Sequence, residues 1–334
     1  MVTITSYPIA VIMCVITMIC WGSWGNTQKL ASKEWKFQLF YWDYTLGILL
    51  FSLLMAFTMG SMGEGGRSFI ADICQADSKW LLSPLIGGII FNAANILLVI
   101  AIDIAGLAVA FPVGIGLALV LGVITTYMAR PEGDPMILGI GVALICVAIV
   151  LDAIAFNRLG GRGATVKGVV VSALAGILMG FFYSFVAEAM GKIDVLPTGV
   201  VLEAGKLSPY SAMVIFALGI LVSNFVFNTF AMKYPKDKSV SYSSYFTDGN
   251  MRLHLIGILG GSIWCLGTSF SFISSSAAGA ALAYGLGQGA TMVSAFWGVF
   301  VWKEFKNAPK GTNLLLGLMF LFFFLGLAIL VAAK

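Results

Sequence analysis

Histidine occurs once in this chain, as His254, and only 10% of its 334 residues are charged. Acid–base, metal and nucleophilic chemistry all need titratable groups gathered at one place. So thin a supply yields no paired carboxylates, zinc signature, Walker motif or nucleophile elbow. The stretch GGRGATVKG, Gly160 to Gly168, has the look of a phosphate loop but lacks the closing Gly-Lys-Ser/Thr, and reads as a flexible connector. The five cysteines, Cys14, Cys20, Cys74, Cys146 and Cys265, have neither paired nor metal-ligand spacing. Four of them fall in apolar runs, where a thiol packs as a small hydrophobe. His254 opens one of these runs beside Arg252 and reads as interfacial. The expectation is a protein that is not an enzyme and needs no cofactor or metal. Its net charge of +4 is scattered over short loops, which excludes a nucleic-acid partner.

Apolar sequence is what the chain has in abundance: 60% of it is hydrophobic and the mean hydropathy is +0.98, against roughly 45–50% apolar in soluble domains. A helix needs about 20 apolar residues to cross a hydrocarbon layer of about 30 Å. Runs of that length lie at Pro8 to Thr27, Phe37 to Met59, Trp80 to Ile102, Gly106 to Met128, Met136 to Phe156, Val169 to Met190, Tyr210 to Met232, Leu253 to Ile273, Ala277 to Trp302 and Leu314 to Ala333. They are continuous rather than alternating, so helices and not barrel strands are expected. The reading is an all-α polytopic membrane protein of about ten spans, a single membrane domain over 1–334. The first run has no basic n-region or small-residue cleavage site and is not a cleaved signal peptide.

Basic residues set the orientation. One side collects Lys29, Lys33, Lys36, Arg158, Arg162, Lys167, Lys233, Lys236, Lys238, Arg252, Lys303, Lys306 and Lys310; the other holds only Arg67, Lys79, Arg130, Lys192, Lys206 and Lys334. The richer side is expected to be cytoplasmic, which leaves both termini outside a cell membrane, inner or plasma.

The chain also repeats itself. Laying PLIGGIIF…GLAVAFPVGIGLALV on GILGGSIW…GAALAYGLGQGATMV at one constant offset pairs Gly87 with Gly260, Gly88 with Gly261, Gly106 with Gly279, Ala110 with Ala283, Phe111 with Tyr284, Gly114 with Gly287, Gly116 with Gly289 and Arg130 with Lys303. The third and fourth runs thus recur as the eighth and ninth. Each repeat then holds five helices, 6–156 and 167–333, and an odd number inverts the second copy. Inverted repeats are the usual build of alternating-access transporters, with the solute held near the midplane. Gly114 and Gly116, with Gly285, Gly287 and Gly289, are expected either to pack helices closely or to let one bend at a cavity.

Polar groups inside apolar runs are costly and become site candidates. Asn92 and Asn95 share one helix face, as do Asn224 and Asn228. Their amides both donate and accept, which suits a neutral polar solute, although hydrogen bonding between helices accounts equally well for one pair. Gln288 sits between glycines where the repeat has Ile115. Trp24 beside Asn26, with Trp264 and Tyr284, would supply stacking faces. Asp43 lies about 10 Å into the second run; it and Glu188 are the candidate proton-coupling acids. Asp103 and Asp152 read as turn or interface residues.

Five stretches resemble one family: WGSWGNT, FYWDYTLG, SSYFTDGNMR, AAGAALAYGLGQGATMVSAFWGVFVWKEF and LLLGLMFLFFFLGLAILVA. They look like the ureide permeases of the drug/metabolite transporter superfamily, over nearly the whole chain. The plant proteins carry a longer connector with a Walker-like sequence, which the short Asn157 to Thr165 stretch lacks. The resemblance implies import of allantoin, uracil or related heterocycles, coupled to protons, with sodium the alternative ion. The pattern is also similar to bacterial rhamnose and glucose/ribose porters. A sugar symporter or a multidrug or metabolite exporter on the same fold therefore stays open, as does the oligomeric state.

Overall fold

The computed structural model describes residues 1–160, 165–197, 199–234 and 239–334. Arg162, Lys236 and Lys238 of the basic side, and the middle of the Gly160 to Gly168 connector, lie outside the described residues.

Among the described residues nine helices are long and apolar enough to cross a membrane. In chain order the helices are α1 (Tyr7–Ser23), α2 (Gly25–Ala31), α3 (Phe37–Phe57), α4 (Phe69–Gln75), α5 (Ser78–Ala105) and α6 (Leu107–Ala110). A five-residue π-helical segment, Phe111–Ile115, then leads into α7 (Gly116–Ala129). There follow α8 (Pro135–Asn157), α9 (Val166–Ala189), a hairpin of β1 (Ile193–Leu196) and β2 (Gly199–Leu202), α10 (Pro209–Lys233) and α11 (Tyr242–Thr247). Last come α12 (Met251–Ala278), α13 (Ala280–Gly287), α14 (Ala290–Phe296), a second π segment, Trp297–Val301, and α15 (Thr312–Val331). Helix starts carry the expected chemistry. Asp134, Thr165, Ser208 and Asn250 accept amide hydrogens of the first turns of α8, α9, α10 and α12, and Pro135 and Pro209 open their helices where no donor is needed. Leu50, Leu54, Val226 and Phe324 stay exposed on the helices, as a lipid-facing belt requires.

The expected span Ala277 to Trp302 is not one helix, which corrects the sequence reading. It breaks at Gln288 and Gly289 between the eight-residue α13 and the seven-residue α14. The cause is packing on α1. A methyl group on Gly287 would stand 2.6 Å from the Trp21 ring, and one on Gly289 2.5 Å from the Met18 sulfur. The chain tightens there, with Gly289 N–H on Leu286 O at 3.0 Å and Met292 N–H on Gly289 O at 3.0 Å, so the backbone stays satisfied through i→i+3 bonds. The matching stretch of the fourth run widens instead of tightening: the Gly116 amide reaches back to Phe111 O, a π bulge. Both stretches begin after a glycine in the positive-φ region, Gly106 at 77° and Gly279 at 94°.

Two helix crossings ride backbone on backbone. Where α3 meets α12, a methyl on Gly261 would stand 1.9 Å from Tyr44 O and one on Gly47 2.2 Å from Ile258 O. Where α5 meets α10, a methyl on Gly88 would stand 2.2 Å from Phe216 O and one on Gly219 2.2 Å from Leu85 O. Around these crossings α12 also packs on α1, α5 on α9, and α8 on α15. At the end opposite the lysine-rich loops, Arg67 donates to Asp72 at 3.0 Å, to Leu202 O at 2.9 Å, to Glu203 O at 3.0 Å and to Lys206 O at 2.9 Å. It thereby ties α4 to the hairpin and to the loop that follows it.

Candidate functional site

A cavity of about 480 Å³ opens among the helices, within the range of about 300–1,000 Å³ that small ligands occupy. Its inner wall is aromatic. Trp21 and Trp264 lie with ring centres 6.3 Å apart and planes 13° from parallel, and Phe91 meets Trp264 at 4.6 Å. Trp24, at the join of α1 and α2, leans on Tyr44 at 4.7 Å. Towards the lysine-rich end the wall passes to Gln28, Lys29, Trp302 and Glu304, with Lys29 and Glu304 paired. At the other end the bundle is closed by packed rings: Tyr183 meets Tyr284 at 5.1 Å and Phe272 at 5.4 Å.

Trp24, Asn26, Asn95, Trp264 and Gln288, all singled out in the sequence, line this cavity. Their free chemistry differs. Asn26 is spent at both ends, donating to Ser23 O at 2.9 Å and accepting from Trp302 Nε1 at 2.7 Å. Asn95 donates to the Tyr41 hydroxyl at 3.0 Å, and that hydroxyl donates to Asn92 Oδ1 at 2.9 Å. Asn92 continues the chain to Ser223 Oγ at 2.9 Å. One amide of the pair therefore faces the cavity while the other stands behind it. The side-chain amide of Gln288, at the break between α13 and α14, has no hydrogen-bond partner among the described residues, so both its donor and its acceptor are open to a ligand.

The remaining candidates lie elsewhere. Asn224 donates to Thr45 at 3.4 Å and Asn228 to Gln38 O at 2.9 Å, so both link α10 to α3. Tyr284 is part of the closing ring cluster, its hydroxyl on Ala118 O at 3.1 Å. Gly114 is pressed against α9, where a methyl would stand 3.3 Å from Ser172 O, while Gly116 has open space beside it. Gly285 meets only the ends of the Leu330 and Val123 side chains. Glu188 is exposed on a separate depression of about 350 Å³ at the opposite end, with Arg130, Lys192 and Lys206. Asp43 is buried outside the cavity lining, held by His254 and Tyr245. Burial, and then the Asp43 carboxylate it donates to, push the Tyr245 phenol above its ordinary range, so it stays a donor at neutral pH.

His254 stands where the sequence put it, in the first turn of α12 and partly exposed, and is in addition a partner of Asp43. One residue was misplaced by sequence reasoning. Asp152 is no turn residue: it lies inside α8, 3% exposed, on the cavity wall. The signal was present in AIVLDAIAF, an acid flanked by apolar residues on both sides.

The ureide permease family profile matches residues 160–333, a little over half of the chain. The chain belongs to the ureide permease family. Ureide permease 1 and ureide permease 2 of Arabidopsis thaliana are each 22% identical to it, over 97% of this chain and 97% of theirs. Probable ureide permease A3 of Vigna unguiculata is 26% identical over 41% of this chain and 38% of its own. A ureide permease family member with this many apolar helices is a multi-pass membrane transporter of a small molecule.

Proposed function

We propose that this permease imports a small, neutral, planar solute of the ureide or nucleobase kind, such as allantoin or uracil, by alternating access and with protons as the coupling ion. The observation that carries the reading is the cavity itself: tryptophan faces on its walls and, at the helix break, the Gln288 amide with no hydrogen-bond partner among the described residues. Ring faces take up a flat heterocycle, and a primary amide matches the alternating N–H and C=O edge of a ureide. The names of the relatives agree with this solute class.

The alternating-access part rests on the repeat, with 6–156 and 167–333 as inverted halves on the drug/metabolite transporter plan. It is supported by the twin glycine crossings, α3 on α12 and α5 on α10, and by the positive-φ glycines at matching positions, Gly106 and Gly279. In this reading the lysine-rich end is cytoplasmic and the termini are outside, so that a cavity whose wall reaches Lys29 and Glu304 faces inward.

Thermal stabilisation of the purified protein by allantoin, uracil and xanthine, set against rhamnose, glucose and ribose, tests the solute class, since a ligand that binds only the folded state raises its stability. A shift with the heterocycles alone is expected. A shift with the sugars alone would replace the substrate class and keep the architecture.

A further inference from the structure

Asp152 is buried, belongs to the cavity wall, and has a buried carboxylate oxygen, Oδ1, with no hydrogen-bond partner among the described residues. It stands five residues before the end of α8, about 8 Å inside the helix at 1.5 Å per residue. Among the described residues, the elements packed most closely against α8 bring it no counter-charge. The α6 segment, the π segment Phe111–Ile115 and α15 contain no titratable side chain, and the tyrosine of α7, Tyr127, lies near the far end of that helix. Elsewhere on the cavity wall Lys29 is paired with Glu304, and Asp103 and Arg158 are exposed at this end of the protein. An ionised carboxylate left unpaired in such surroundings is costly, and the cheapest remedy is a proton.

We infer that Asp152 is the group that binds and releases the transported proton in this permease. The inference rests on the transport reading above and gives its coupling a residue. Neither acid expected from the sequence meets the cavity: Asp43 is occupied by His254 and Tyr245, and Glu188 lies at the opposite end. When the carboxylate takes a proton from water it becomes a neutral acid, whose O–H can donate to a carbonyl of the solute. Proton and solute then favour each other's binding. Once the solute has left the inward-facing cavity, water fills it, takes the proton and solvates the anion that re-forms.

The test uses the full chain in proteoliposomes, with labelled allantoin and uracil as probes. Three quantities are read: exchange at equal pH on both sides, accumulation driven by an imposed pH gradient, and proton entry on adding solute. For Asp152→Asn, whose side-chain amide can still donate as the protonated acid does, exchange slows but remains measurable while accumulation falls to the equilibrium ratio and solute-induced proton entry disappears. Asp152→Glu restores part of both. Accumulation by Asp152→Asn equal to wild type, loss of its exchange together with accumulation, or wild-type accumulation driven by sodium alone would each overturn the inference. A second measurement needs no solute: a hydrophobic carbodiimide, which attacks protonated carboxyls in apolar surroundings, should modify Asp152 in the wild-type protein, more slowly as pH rises. Absence of modification at any pH overturns the inference. Modification without wild-type exchange of either probe overturns the solute assignment instead.

Discussion

The Nδ1 atom of His254 stands 3.0 Å from both carboxylate oxygens of Asp43. The Tyr245 hydroxyl adds a third bond, to Oδ1 at 2.5 Å. Trp35 meets the imidazole edge-on, with ring centres 5.3 Å apart. The acid fits because Gly257 has no side chain: a methyl there would be 2.4 Å from the Asp43 Cβ. One carboxylate thus fastens α3 to the first turn of α12 and to the short helix α11. Removing a partner from a buried polar group costs about 1–3 kcal/mol, so His254→Ala should lower the melting temperature. In a double-mutant cycle with Asp43→Asn, the double variant should lose less than the sum of the two single losses. Additive losses would mean that the pair does not interact in solution.

The glycine crossings predict a contrast within one residue type. Gly261→Ala drives a methyl into Tyr44 O and should cost about 1–3 kcal/mol or more through overpacking. Gly139 and Gly317, where an added methyl would meet nothing within 4 Å, should accept alanine without loss. Melting temperatures of the three variants in one detergent decide the matter.

At the opposite end Arg67→Ala leaves Asp72 buried without its cation. Asp72 is fully buried and also accepts from Ser208 N–H at 2.7 Å. The expected loss is about 3–5 kcal/mol, with faster proteolysis of the hairpin Ile193 to Leu202 as a local readout.

In the cavity, Gln288→Ala removes a group with no partner among the described residues. Affinity for the solute should fall about tenfold, near 1.4 kcal/mol, while stability is unchanged. Asn26→Ala, by contrast, should lower stability as well, because it strands Trp302 Nε1. Ligand titration and thermal melts of both variants separate the two roles.

Glu203 gives a pH prediction. Burial by itself would raise its pKa, but the Lys192 amide and the Lys206 ammonium outweigh it and hold the carboxyl below its ordinary range. A depressed folded-state pKa contributes stability above the unfolded value and loses it as pH falls through the folded one. The hairpin should loosen on acidification below about pH 4, and Glu203→Gln should remove that dependence. Hydrogen exchange of the hairpin amides against pH is the check.

The spans were legible because a bilayer asks only for length and apolarity, and both are local. The break at Gln288 was legible only as one of two alternatives, since Gly287 and Gly289 could serve close packing or a bend. GLGQG stays apolar enough for one helix, and only the approach of Trp21 and Met18, far away in the chain, decides that it turns. The amides show the same division. Spacing placed Asn92 with Asn95 and Asn224 with Asn228 on shared faces, but whether a face meets a cavity or another helix is a tertiary fact. Asp152 was misjudged by a few residues of depth, which in a membrane is the difference between solvent and wall. His254 and Asp43 are separated by 211 positions, and nothing near either one names the other.

Where α3 crosses α12 and α5 crosses α10, no side chain stands between the main chains. A contact of that kind has no rotamers to exchange and no slack to take up, so it behaves as a rivet and not as a bearing. Each riveted pair must travel as one piece.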